Sequence, residues 1–267
     1  CRGFFVKNTK WWQKSNLAMP PCIKLAEYFA NHYTRIASIF IPMKTLRLFL
    51  LAIVLPLCLS AQKKINVACV GNSITYGYSI PDSAKNSYPA QLQQLLGDGY
   101  HVTNFGISAT TLLTKGNKPY IKQAAYQEAL NSDPDLVFIM LGTNDSKLVN
   151  RVYMDGFEND YREMVRAFRN LPSHPRVVLL TPITAFVTDS TKIWDKTITM
   201  QIIPHIQNLA LAENLEVLNM HSLFMDKEDL LKDKIHPNAA GAGIIARRIF
   251  DLVSQKRDTT FDVFKQI

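Results

Sequence analysis

Residues 65–77 read INVACVGNSITYG. The first six are apolar apart from Asn66, rich in Val and Ile, and stop at Gly71. So short a run suits a strand better than a helix, and its lack of polar alternation suits a strand covered on both faces. Working outward, similar runs occur at HVTNF (101–105), DLVFIML (135–141), RVVLLT (176–181) and EVLNM (216–220). Amphipathic stretches at 88–97, 119–131, 155–170, 197–213 and 238–254 separate and follow them. Strands and helices that alternate in this way predict one α/β domain of about 200 residues on a parallel sheet.

In such a sheet, functional groups collect on the loops that leave the carboxyl ends of the strands. Those loops carry Gly71-Asn72-Ser73-Ile74-Thr75, Asn104-Phe105-Gly106-Ile107-Ser108 and Gly142-Thr143-Asn144-Asp145, and Asp233-Lys234-Ile235-His236 precedes the last helix. Singly each is weak. A Ser after Gly at a strand end is usually a turn or cap, Asn-Asp usually caps the next helix, and a His before Pro is usually a surface loop residue. GNSITYG also lacks the Lys-Ser/Thr of a phosphate loop, the spacing of a dinucleotide fingerprint and the second Gly of G-x-S-x-G. Together, however, the four segments supply each part of acyl transfer. Ser73 needs a base, which His236 can provide, and Asp233 can hold the imidazole in its tautomer. The N–H groups of Ser73 and Gly106 and the Asn144 side-chain amide can serve as the oxyanion hole.

These blocks, in this order, resemble the SGNH (GDSL-type) hydrolase superfamily from about Ile65 to Val253. The resemblance places the nucleophile on Ser73, oxyanion donors on Gly106 and Asn144, and the remaining catalytic pair on Asp233 and His236. It implies a three-layer α/β/α, flavodoxin-like fold with a five-stranded parallel sheet. Asn72 stands where the name-giving pattern has Asp; it belongs to no triad, so activity is expected to survive. The implied reaction is removal of short acyl groups, acetyl above all, from carbohydrate esters. Two alternatives stay open: a lysophospholipase, thioesterase or arylesterase, and a non-catalytic glycan- or lipid-binding module. The loop PITAFVTDSTKIWDK (182–196) spaces Phe186 and Trp194 among polar residues, which suits a sugar ring, so both are expected either to bind substrate or to pack beneath the loop. Lys115, Lys118 and Lys122 could meet an acidic sugar or form a solvated face.

The net charge of +8 invites a nucleic-acid reading, but its position removes it. Before Gln62 there are eight bases against the single acid Glu27; from Gln62 onward, 22 bases face 21 acids. A domain this close to neutral has no phosphate-tracking excess, so nucleic acid is not an expected partner. Residues 43–61, MKTLRLFLLAIVLPLCLSA, carry Lys44 and Arg47, then an apolar run, then small residues ending at Ala61. This is the pattern of a secretory signal peptide cleaved before Gln62. The uncharged run, Leu48 to Leu59, is well short of the ~20 residues a spanning helix needs. Leu57 is too bulky for lipoprotein processing at Cys58. The expected product, 62–267, is periplasmic or secreted with no stable membrane span. Residues 1–42, beginning at Cys1, have no sustained period and read as an extension upstream of a start at Met43. Cys69 then stands alone, as a buried, inert thiol. No Cys/His spacing fits a zinc site, so neither metal nor cofactor is expected.

Overall fold

The computed structural model describes residues 63–255; the expected extension (1–42) and signal peptide (43–61) lie outside them. Five strands, β1 (Ile65–Gly71), β2 (Tyr100–Gly106), β3 (Leu136–Met140), β4 (Arg176–Leu180) and β5 (Glu216–Leu218), form one sheet. Every neighbouring pair is parallel, in the order β2-β1-β3-β4-β5. The long helices are α1 (Tyr88–Leu96), α2 (Ala124–Asn131), α3 (Phe157–Arg169), α4 (Ile203–Glu213) and α5 (Ala239–Ser254). The expected five-stranded α/β/α architecture is the one observed.

The unalternated apolar runs follow from two-sided burial. Successive side chains on a strand point to opposite faces. Val67, Cys69, Phe138, Met140 and Val178 pack with Tyr88 and Leu92 of α1 and Ile245 and Ile249 of α5. Ala68, Val70, Val137, Ile139 and Leu179 pack instead with Ala129 of α2, Phe157, Tyr161 and Phe168 of α3, and Ile206 and Leu209 of α4. Each layer alone would leave one sheet face wet, so the chain needs both. Cys69 is fully buried, and desolvation pushes its thiol up to about 12, which leaves it inert.

The stretch expected as one helix over 197–213 is a composite. A turn at Asp195–Thr197 leads into a π-helical segment, Ile198–Ile202, and then α4. Pro204, at the start of α4, has no N–H to give the carbonyl four residues back, and the widened turn sits where that bond is missing.

The chain leaves β1 for β2 on one side and returns to β3 on the other. Loops from β1 and β3 therefore diverge, and a crevice opens at this switch point outside the carboxyl ends of the strands. Ser73 is two residues beyond β1, at that crevice.

Candidate active site

Ser73 opens a single helical turn, Ser73–Tyr76, that follows β1 with only Asn72 between. The bend is tight enough to require Gly71, since a Cβ there would lie 2.1 Å from Thr75 Oγ1 and 2.8 Å from the Met140 carbonyl oxygen. Asn72 caps the turn, its Oδ1 accepting from the Ile74 N–H at 3.0 Å. That is a task the amide performs as an aspartate would, so the departure at this position leaves the turn intact. As the first residue of the turn, Ser73 has an N–H with no intrahelical acceptor.

The partner comes from the loop before α5. The Ser73 hydroxyl and His236 Nε2 are 2.8 Å apart, and His236 Nδ1 lies 2.6 Å from Asp233 Oδ2. The other Asp233 oxygen accepts from the backbone N–H of His236 at 2.7 Å and of Ile235 at 3.2 Å. Lys234, at a φ of 69°, folds the four-residue loop back so that one carboxylate reaches both backbone and ring. Burial alone would raise the Asp233 pKa, but the hydrogen bonds from His236 and its charge hold it below the usual carboxylate range. An ionised Asp233 accepts Nδ1–H, which leaves the Nε2 lone pair for the Ser73 hydroxyl. The Tyr78 ring lies 4.7 Å from the imidazole, centroid to centroid, and is tilted by 55°.

Asn144, buried on the turn after β3, donates from Nδ2 to the Thr110 carbonyl at 3.0 Å and lines the same cleft as Ser73. The second Nδ2–H remains for a ligand. Next to it, Asp145 is fully buried and accepts from the N–H groups of Leu112 at 3.1 Å and Leu113 at 2.8 Å. Desolvation pushes its pKa up to about 6 against the pull of those donors. Asn144 and Asp145 thus pin the loop after β2 to the turn after β3.

Three of the candidate site residues lie elsewhere. Gly106 does not line the cleft, and its N–H donates to Asn104 Oδ1 at 2.9 Å. Its glycine character serves packing, because a Cβ would lie 2.2 Å from the Tyr76 backbone nitrogen. Three residues on, Ala109 does line the cleft, at a φ of 67°, and its N–H has no acceptor among the described residues. Nothing in the sequence marked it. Phe186 packs against the α1/α5 side of the core and gives its N–H to the Lys234 carbonyl at 2.9 Å. Trp194 lies beneath Arg151, 4.8 Å from guanidinium to ring centroid. Asp195, which accepts from Ala185 N at 2.9 Å and pairs with His221 Nε2 at 3.0 Å, fixes this loop so that Lys192 and Ile193 face the cleft instead.

The cleft has a volume of about 480 Å³ and is lined by Ser73, Tyr78, Asn144, Ile193, Ile235 and His236, among others. No group of three or more potential metal ligands occurs among the described residues, nor any helix long and apolar enough to cross a membrane.

Comparison with known proteins adds relatives to this geometry. The chain is 44% identical over 206 residues to an acetylxylan esterase from Xylanibacter ruminicola, covering 70% of this chain and 43% of that protein. It thus spans less than half the length of that relative. Among solved structures, a carbohydrate acetylesterase family member from Sinorhizobium meliloti matches with a TM-score of 0.58 at 20% identity, covering 71% of this chain and 97% of the other. An acetyl xylan esterase, AlAXEase, matches with a TM-score of 0.58 at 21% identity, covering 71% and 100%. At such identities the two structures share the fold. The model of the GDSL-like Lipase/Acylhydrolase family matches residues 69–244. That match begins inside β1, ends inside α5 and takes in every segment that feeds the cleft, so the chain belongs to the GDSL-like lipase/acylhydrolase family.

Proposed function

We propose that the chain is an exported serine esterase that removes acetyl groups from carbohydrate. The observation that carries this reading is the unbroken relay from Ser73 Oγ through His236 to Asp233, at 2.8 and 2.6 Å, at the edge of an open cleft. The kinship with an acetylxylan esterase supports the acyl group and the acceptor class, and the leader-like segment 43–61 supports export.

His236 Nε2 takes the Ser73 proton as Oγ adds to the ester carbonyl, and Asp233 stabilises the imidazolium. The tetrahedral oxyanion is met by the Ser73 N–H, the free Asn144 Nδ2–H and, in place of Gly106, the Ala109 N–H. As the intermediate collapses, the C–O bond to the sugar breaks, His236 Nε2–H protonates the departing sugar oxygen to a hydroxyl, and acetyl stays on Ser73. Water, deprotonated by the same nitrogen, then releases acetate. The cleft's apolar wall, Ile193 and Ile235, is short, which favours acetyl to butyryl over long chains.

The test is hydrolysis of p-nitrophenyl esters from acetyl to octanoyl, alongside O-acetylated xylo-oligosaccharides. Acetyl turnover should disappear in Ser73→Ala at unchanged thermal stability, and the rate should fall steeply beyond four carbons. Retention of half the activity by Ser73→Ala would exclude the mechanism, and a rate rising toward octanoyl would favour a lipase-type acceptor.

A further inference from the structure

The cleft around Ser73 carries two ammonium groups that hydrolysis of a neutral ester does not require. Lys147, three residues beyond Asn144, and Lys192, beside Ile193, both line it. Lys147 is half-buried, and no carboxylate lies within ion-pair distance of its Nζ among the described residues. Burial pushes this ammonium down, and the negative charge of Asp145 opposes that. Lys192 meets Asp189 at 3.7 Å on its own loop, with both side chains largely exposed, so the pair is loose and exchangeable.

Opposing charge inside the cleft is scarce. Among the described residues Asp233 is the one acid that lines it, and both its oxygens are engaged by His236 and the adjoining backbone. The remaining wall is uncharged: Ser108, Ala109, Asn144, Ile193, Ile235 and the exposed ring of Tyr78. A half-buried cation with no directly paired carboxylate is costly to hold, and an entering anion lowers that cost. Tyr78, about half exposed beside His236, offers a flat surface where the departing alcohol must stand to be protonated.

We infer that the preferred acceptor is an acidic saccharide, a sugar whose own carboxylate is held by Lys147 and Lys192 while its acetyl group meets Ser73. The inference rests on the esterase reading of this same cleft and adds the charge of the substrate. A released acetate ion is the other carboxylate that could occupy the two lysines, and the two sources separate experimentally.

The full chain is assayed on a matched pair, an O-acetylated methyl glucuronoside and the O-acetylated methyl glucoside, with p-nitrophenyl acetate as a reference and acetate as a product inhibitor. The ratio of kcat/KM, acid over neutral, should be about tenfold at low ionic strength and fall severalfold in high salt, because partly exposed pairs are screened. The difference should lie in KM. In the double variant Lys147→Met/Lys192→Met the ratio should drop to about one, whereas Lys147→Arg/Lys192→Arg should keep a preference for the acid. A wild-type ratio of one or less overturns the inference, as does a ratio that survives the methionine substitutions. So does loss of acetate inhibition in the methionine variant at an unchanged ratio, which would assign the lysines to the product. Failure on all three esters sinks the esterase reading itself; turnover of p-nitrophenyl acetate without preference between the sugars sinks the acidic acceptor alone.

Discussion

Replacing Asp145 with Asn tests whether the loop that borders the oxyanion position is held by a buried, titrating carboxyl. Asp145 is fully buried and receives the N–H groups of Leu112 and Leu113. Desolvation raises its pKa from 3.8 to about 6. An acid whose native pKa lies above its unfolded value binds a proton more tightly in the fold. Its contribution to stability is therefore fully present below about pH 4 and is lost as pH rises through about 6. At about 1.4 kcal/mol per pKa unit, the whole change is about 3 kcal/mol. Asp145→Asn keeps one acceptor oxygen for the loop and removes the titration. Urea unfolding of both proteins at pH 4, 5, 6 and 7 isolates the effect, because every other titrating group is common to the pair. The stability of wild type relative to the variant should fall by roughly 2 kcal/mol from pH 4 to pH 7, the rest of the change lying below pH 4. A difference that stays flat across this range, or grows with pH, would refute the reasoning.

Asn144→Ala should lower kcat by roughly 10²–10³-fold with little change in KM, as expected for one lost oxyanion donor; a residue that merely capped the turn would cost stability and spare turnover, so both are measured on one protein. Gly106→Ala should destabilise by about 1–3 kcal/mol or more, because the new Cβ meets backbone that cannot swing aside; thermal unfolding checks this, and kcat should fall as the turn bearing Ser73 shifts. Trp194→Ala should leave KM for acetylated saccharides unchanged and cost about 0.5–1 kcal/mol through the lost Arg151 contact; a raised KM would return Trp194 to the substrate site.

Much of the fold was legible because its physics is local. β1, β3 and β4 are interior strands, so both faces are apolar and the runs need no partner to be recognised. β5 ends at Leu218, earlier than its apolar run, because the Met220 N–H turns to Thr181 Oγ1. The contacts of Ser73 with His236 and of His236 with Asp233 were legible for another reason: Asp233 and His236 share one short loop, and that loop and the one bearing Ser73 lie at the same end of the sheet. Gly106 was not, since a sequence displays a glycine but not where its N–H points, and that depends on Asn104 and on the turn it packs against. Asp145 read as a helix cap because its true partners, Leu112 and Leu113, lie 33 and 32 residues away in sequence. Between binding and packing, Phe186 and Trp194 were undecided for the same reason, as the Asp195–His221 contact that turns their loop joins residues 26 apart.

The Ser73–His236 contact joins residues 163 positions apart, and the histidine sits immediately ahead of the helix that packs against α1. During synthesis every strand can be made and paired before His236 has left the ribosome. On the proposed mechanism, Ser73 is an ordinary alcohol until α5 docks, and the nascent chain is until then inert toward esters it passes. The onset of turnover is consequently a clock for the last docking event. Under mild denaturant, loss of activity ahead of loss of sheet signal would report the C-terminal helix peeling away while the strands remain paired.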